Sequence, residues 1–265
     1  MSIPARLRQE GKAYLIPLYH LLRTSHLARE AIEASGSHEF ADHVYGNQPS
    51  GRWGIGYLLD ALFLNLPSAR SFRNRYYHAQ RSIETLVRSR SANGPLHILA
   101  APSGLAREFF VSVGRFRSAT QAHEHVRWYA LDGNPEVVTW LQARASRERI
   151  PLTAWSADAL EPSTYQDHPK FHAVVSLGLT EFLNDEDVVR FFRVIRNRLE
   201  PGGQLITSSM LPHPLSDFLM RELAELHTHY RDAGTLEDLA KQAGYEQIQI
   251  EQDSIGLQSL MKANV

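Results

Sequence analysis

From Pro95 onward, short apolar runs alternate with stretches long enough to be helices. The runs are LHILAA (96–101), VRWYALD (126–132), LTAWSA (152–157), HAVVSLG (172–178) and GGQLITSSM (202–210). Near-continuous apolar runs of strand length suit strands buried on both faces, as in a parallel sheet covered by helices. The covering helices are predicted from about Ala106, over Pro135 to about Glu148, and over 185–199, 216–231 and 235–243. The end of the chain departs from this rhythm. YEQIQIEQD (245–253) alternates at period two, and LQSLMKANV (257–265) pairs with it as an antiparallel hairpin. A strand, turn and strand after the last helix suit an α/β, Rossmann-like sheet of seven strands whose last strand is antiparallel.

Residues 1 to about 92 show no strand alternation. Leu15, Leu18, Leu21, Leu22 and Leu27 fall at helical spacing within 12–34, and residues 53–65 continue the helical pattern. Pro67-Ser68 opens a further helix to about Arg90, with Ser68 as the N-cap. Ser91-Ala92-Asn93-Gly94-Pro95 is turn chemistry and predicts a boundary there. The expected organisation is an all-helical cap over 1–92 and a sheet core over 93–265.

Composition removes several function classes. The 265 residues include no cysteine, so thiolate zinc sites, disulfides and cysteine nucleophiles are excluded, and a reducing cytoplasm is expected. A chain of this length buries about three quarters of its unfolded surface, so it needs no covalent staple. Residues 1–95 carry 12 Lys+Arg against 7 Asp+Glu, and the remainder 16 against 22, for a net charge of -1. No dense basic stripe appears, so no nucleic-acid partner is expected. The opening MSIPARLRQEGK lacks the apolar run of a secretory signal. The apolar stretch Trp53–Leu66 is too short to span a bilayer and is interrupted by Asp60 and Asn65, so no membrane partner is expected.

Parallel sheets bind ligands beyond the carboxyl ends of their strands, so the residues following each strand are the candidates. After the first strand comes Ala101-Pro102-Ser103-Gly104, small residues that let backbone amides approach a ligand. Asp132-Gly133-Asn134 follows the second strand, and a carboxylate there can accept two bonds from ribose hydroxyls. Ala157-Asp158-Ala159 follows the third, with an acid suited to an amino group. Ser176-Leu177-Gly178-Leu179-Thr180-Glu181 follows the fourth. Asn134 before Pro135 is also a natural helix cap. His168/His172, His227/His229 and His123/His125 lack ligand spacing, and no metal is expected.

Residues 95–265 resemble a class I S-adenosylmethionine (SAM) dependent methyltransferase core. LHILAAPSGLAREFF is similar to its first motif, an apolar strand followed by glycines; WYALDGNP is similar to the acidic motif. FHAVVSLGLTEFL, LNDEDVVRFFRVIRNRLEPGGQLITSS and TLEDLAKQAGYEQIQIEQD follow in the family's order. DALFLNLPSARSFRNR (60–75) resembles a segment that precedes the core in bacterial members with a helical cap. One departure is plain: where three glycines are usual, this chain has Ala101, Ser103 and Ala106, and Pro102 has no N–H to donate.

The resemblance implies SAM as cofactor and in-line transfer of its methyl group to a small molecule under the cap. It implies that Ala101–Gly104, Asp132–Asn134, Ala157–Ala159 and Ser176–Gly178 hold the cofactor. With an amide missing from the first loop, Arg75 is the expected partner of the methionine carboxylate. Tyr77, Tyr19 and Glu181 are the expected catalytic residues, Tyr77 and Tyr19 from the cap and Glu181 from the acceptor side. Two alternatives stay open: cyclisation of SAM to azetidine-2-carboxylate and methylthioadenosine, as in some relatives, and SAM binding without catalysis.

Overall fold

The computed structural model describes residues 2–33, 37–90, 94–119 and 125–265. Residues 91–93 of the expected boundary turn, and His123, lie outside the described residues.

The chain forms two compact units, Met1–Arg73 with Pro212–Thr228, and Asn74–Leu211 with His229–Val265. The first unit contains α1 (Ile3–Gln9), α2 (Ile16–Leu22), α3 (His26–Glu33), α4 (His38–Gly46), α5 (Ile55–Leu64) and the start of α6 (Pro67–Arg90). The pattern over 12–34 is divided. Pro17 sits in the first turn of α2, where its missing N–H is harmless, and Ser25 Oγ accepts from Ala28 N at the start of α3. Pro67, not Ser68, begins α6. Leu7, Leu15, Tyr19 and Leu22 make one small core with Leu223, and Leu27, Val44 and Leu64 make another. Leu223 belongs to α10 (Pro214–Ala224), which Glu225 ends with a left-handed φ of 53°. The helix expected over 216–231 is therefore shorter and starts earlier.

The second unit is the sheet. Its strands are β1 (Leu96–Ala100), β2 (Val126–Asp132), β3 (Leu152–Ser156), β4 (Phe171–Ser176), β5 (Leu199–Met210), β6 (Gln247–Gln252) and β7 (Gln258–Asn264). They lie in the order β3-β2-β1-β4-β5-β7-β6. β1 to β5 pair in parallel, while β7 runs antiparallel to both β5 and β6. The expected seven strands and antiparallel last strand are present.

Alternation along the strands feeds two cores. Ile98, Ala100, Trp128, Ala130, Ala173 and Val175 face one side. Leu99, Leu131, Val174 and Leu205 face the other. The first side is covered by α7 (Arg107–Ala119), α8 (Pro135–Glu148) and the later part of α6. The second is covered by α9 (Asp185–Arg198) and α11 (Ala233–Gln242). Ala79, Ile83, Leu86 and Val87 of α6 repeat at helical spacing and pack on the sheet. That burial places residues 74–90 with the sheet, so the compact units divide inside α6, ahead of the boundary expected at 92/93.

Gly203 shows why the entry to β5 reads Pro-Gly-Gly. A Cβ there would stand 2.8 Å from the Glu200 carbonyl oxygen and 2.9 Å from that of Phe171, both backbone atoms. Gly203→Ala should destabilise the chain by about 1–3 kcal/mol, read by denaturant unfolding.

His78 supplies a pH dependence. It is buried on α6, its Nε2 has no hydrogen-bond partner among the described residues, and burial, with nearby Lys262, pushes its pKa from 6.5 down to about 4. Between those values the unfolded chain binds the proton and the folded chain does not, so stability falls as pH drops from 6.5 towards 4. The group contributes up to about 3 kcal/mol to that loss. Unfolding curves across this window should be shallower in pH for His78→Phe than for the parent. Equal slopes would count against the assignment.

Candidate active site

The strand order reverses between β1 and β4. From β1 the chain builds outward to β2 and β3; it then returns to β4 and builds the other way. The carboxyl ends of β1 and β4 therefore flank the crevice where such sheets take ligands. Ala101 follows β1 directly and Ser176 is the last residue of β4, with Ala101 N donating to Val175 O at 2.9 Å.

The loop after β1 is held by hydrogen bonds rather than by glycines. Ser103 N donates to Leu131 O at 2.8 Å, and Gly104 N to Asp132 Oδ2 at 2.8 Å. Asp132 Oδ1 accepts from Asn134 N at 3.0 Å. One carboxylate thus joins the first loop to the end of β2, and each oxygen keeps a further lone pair for an incoming hydroxyl. The loop takes left-handed backbone at Gly104 (φ 47°) and at Ala106 (φ 43°). Ala106 stands where a glycine would be unstrained, at a cost of about 1–2 kcal/mol.

Asn134 is the N-cap of α8, accepting from Glu136 N at 2.9 Å, and Gly133 is exposed beside it. Ala157 N donates to the Asp132 carbonyl at 3.2 Å, which brings the third loop beside the second. Asp158 is exposed, and its Oδ1 accepts from Leu160 N at 2.9 Å. Ala159 is buried, and its carbonyl accepts from the Tyr165 hydroxyl at 2.8 Å.

At the end of β4, Ser176 is buried and its Oγ has no partner among the described residues. Gly178 has φ 89°, and a Cβ there would stand 3.0 Å from Arg75 Nη2. Arg75 and Glu181 are both buried, and Nη1 donates to Glu181 Oε1 at 2.9 Å. The residue expected at the cofactor carboxylate and the one expected on the acceptor side are thus partners of each other. Glu181 Oε2 lies 3.4 Å from Thr180 Oγ1, which donates to Ser208 O.

The two expected tyrosines differ in their surroundings. Tyr77 is 42% exposed on α6, its ring 5.3 Å from that of Tyr76, whose hydroxyl burial pushes up to about 12. Tyr19 is packed in the core of the helical unit. Sequence reasoning missed Arg231. It is buried, with Nη1 bonded to Thr180 O, Nη2 to Leu183 O at 2.7 Å and Nε to Asp185 Oδ1 at 2.8 Å. A lone arginine at the end of an expected helix carries no signal of that role.

The buried Arg75–Glu181 pair sets a testable energy. Removing one partner strands the other charge, which costs about 3–5 kcal/mol. Arg75→Met should therefore destabilise strongly, whereas Arg75→Met with Glu181→Leu should recover much of the loss. Additive losses in urea unfolding would show that the pair is not coupled.

Residues 26–264 match the family described as "Putative methyltransferase". The curated protein "Uncharacterized protein YnbC" of Escherichia coli K12 is 26% identical over 216 residues, or 77% of this chain. The chain spans about a third of that relative, 36% of its length. Among solved structures, one described as "a possible exported protein" from Bordetella parapertussis covers 99% of this chain and 93% of its own, at TM-score 0.80 and 20% identity. Magnesium protoporphyrin IX methyltransferase from Synechocystis PCC 6803 with bound SAH covers 74% and 86%, at TM-score 0.53 and 12% identity. Human N-acetylserotonin methyltransferase in complex with SAM covers 78% and 58%, at TM-score 0.52 and 15% identity. Among the described residues no helix is long and apolar enough to cross a membrane.

Proposed function

We propose that this chain, which belongs to that methyltransferase family, binds SAM at the carboxyl ends of β1 to β4 and transfers its methyl group to a small molecule. The observation that carries the reading is the Asp132 carboxylate, tied to the loop beside the switch point with acceptor capacity remaining. Ser176 Oγ, buried at the end of β4 beside the same crevice and without a partner among the described residues, is free to take a bond from a ligand there. The small-molecule part is supported by the acceptors in the names of two relatives of this fold, magnesium protoporphyrin IX and N-acetylserotonin. The compartment that fits this use is the cytoplasm.

In this reading Asp132 accepts from the ribose hydroxyls and Asp158 from the adenine amino group. Ala101–Gly104 and Ser176–Gly178 form the walls around the methionine part. SAM supplies an electrophilic methyl carbon. The chain's part is to place the acceptor opposite the sulfur and to exclude water. Arg75 fixes Glu181 at the acceptor side, where that carboxylate can hold or take a proton from the attacking group. Tyr77 is the tyrosine of α6 open enough to meet an acceptor.

Incubation with SAM and candidate acceptors, followed by mass analysis of the nucleoside, tests the reading. S-adenosylhomocysteine formed only with an acceptor is the expected product. Methylthioadenosine formed without one would transfer the reading to cyclisation, and unchanged SAM to binding alone. Asp132→Ala should weaken SAM binding about 10- to 100-fold by calorimetry, the loss of charge-assisted bonds worth about 1.5–3 kcal/mol. Unaltered affinity would remove Asp132 from the site.

A further inference from the structure

The helical unit holds a cluster of titratable groups that methyl transfer does not use. His26 and Glu30 stand one turn apart on α3, and His43 stands on α4. One ligand atom from each lies within 4.8 Å of the others.

The ring orientations say more than the proximity. His43 turns Nδ1 towards Glu30 Oε2 at 2.7 Å, and its Nε2 lies 3.0 Å from the Gln48 carbonyl oxygen. A carbonyl only accepts, so Nε2 carries the proton of that bond. His26 turns Nε2 towards Glu30 Oε1 at 3.4 Å, and its Nδ1 meets Ser50 Oγ at 2.7 Å. Each imidazole therefore has its outer nitrogen held by a hydrogen bond and its inner nitrogen aimed at the same carboxylate. Histidines that ligate metals are held this way, one nitrogen for the ion and the other N–H fixed by the surrounding protein.

The separations and the support also fit. Ligands about 2.0–2.2 Å from a tetrahedral zinc ion lie about 3.3–3.6 Å from one another. His26 Nε2 stands 3.4 Å from Glu30 Oε1, within that range, and His43 Nδ1 stands 2.7 Å from Glu30 Oε2, below it, so a turn of the carboxylate and an opening of the cluster admit an ion. Ser50 is anchored in turn, its N donating at 2.9 Å to Oδ2 of Asp60, which is fully buried. Asp60 Oδ1 accepts from Ser25 Oγ and from Leu27 N, one residue after His26.

We propose that His26, Glu30 and His43 bind a divalent ion of the zinc type through two imidazole nitrogens and one carboxylate oxygen, with water as the fourth ligand. The borderline nitrogen and oxygen donors suit zinc and its spectroscopic substitute cobalt better than magnesium or calcium. Binding displaces the proton shared between His43 Nδ1 and Glu30, and the ion then clasps α3 to α4. The inference does not rest on the methyltransferase reading.

The untagged full chain, freed of metal by a chelator, is titrated with Co(II) followed by visible absorption, and with Zn(II) followed by calorimetry and thermal unfolding. The expected result is one saturable site, a cobalt d–d spectrum abolished by zinc, and a higher Tm with zinc, because the ion binds the folded chain alone. His26→Gln and Glu30→Gln should each lose the cobalt spectrum while keeping the far-UV circular dichroism of the parent. Ser50→Ala keeps all three ligands and should weaken zinc binding about 10- to 100-fold. His229→Gln, a histidine of the other unit, should bind as the parent does. Absence of saturable binding, or a cobalt spectrum unaltered in His26→Gln and Glu30→Gln, overturns the site. Should those variants fail to fold, unchanged zinc affinity in Ser50→Ala overturns it instead.

Discussion

A sheet whose parallel strands are buried on both faces has few places where polar side chains can act. Along β1 and β4 every position that enters a core is apolar, alternating between the two sides. Polar chemistry is therefore displaced to the strand ends, where the backbone leaves the ladder and must find other partners. The site follows from that displacement. Asp132 is the last residue of β2, and its two oxygens satisfy amides from two different loops. Ser176 ends β4 beside the reversal of strand order, and its buried hydroxyl is one of the polar atoms of the sheet that have no partner among the described residues. Burial of the sheet and placement of the site are one constraint seen at two levels.

The same logic explains how the loop after β1 manages with few glycines. Glycine is favoured in such loops because it takes left-handed backbone freely and leaves room for a ligand. Here Gly104 takes one left-handed position, and Ala106 takes another at a steric cost. Ser103 N to Leu131 O and Gly104 N to Asp132 offset that cost by tying the loop to β2 on both sides of the turn. Ala106 is fully buried among the residues of one core, so its methyl also contributes packing that glycine would lack. Strain and burial oppose each other at similar magnitude, which is why alanine is tolerated there.

What was legible in the sequence was what local patterning dictates. The five apolar runs and the terminal hairpin announced the sheet, because each is a contiguous signal. The position of Asp132 at the end of β2 was legible from the close of the second run. The division inside α6 was not. Turn residues near 91–95 advertise a chain reversal, but the packing of Ala79, Ile83 and Val87 decides where the compact unit begins. Nor was the partnership of Arg75 with Glu181 legible, since the two lie 106 positions apart and each alone reads as a surface charge. Arg231 was hidden for the same reason. His26 and His43 escaped because Glu30 joins them across two helices, and no short spacing encodes such a pair.

Those long-range pairings share one physical task. Arg75, Arg231 and Asp60 are buried charged residues, and each bonds to backbone or to a partner beside irregular chain. Arg231 satisfies the carbonyls of Thr180 and Leu183 in the segment between β4 and α9, and Asp60 satisfies the amides of Leu27 and Ser50. Burying a charge is costly, and an apolar side chain in its place would often be more stable. An apolar side chain, however, cannot satisfy a carbonyl or amide that has left a helix or strand. The charges are retained where the backbone is irregular, and there they give loops the fixed geometry that a ligand site requires. Arg75 against Gly178 is the clearest case: the guanidinium fits because glycine leaves the space, and the ion pair with Glu181 then ties the segment after β4 to α6.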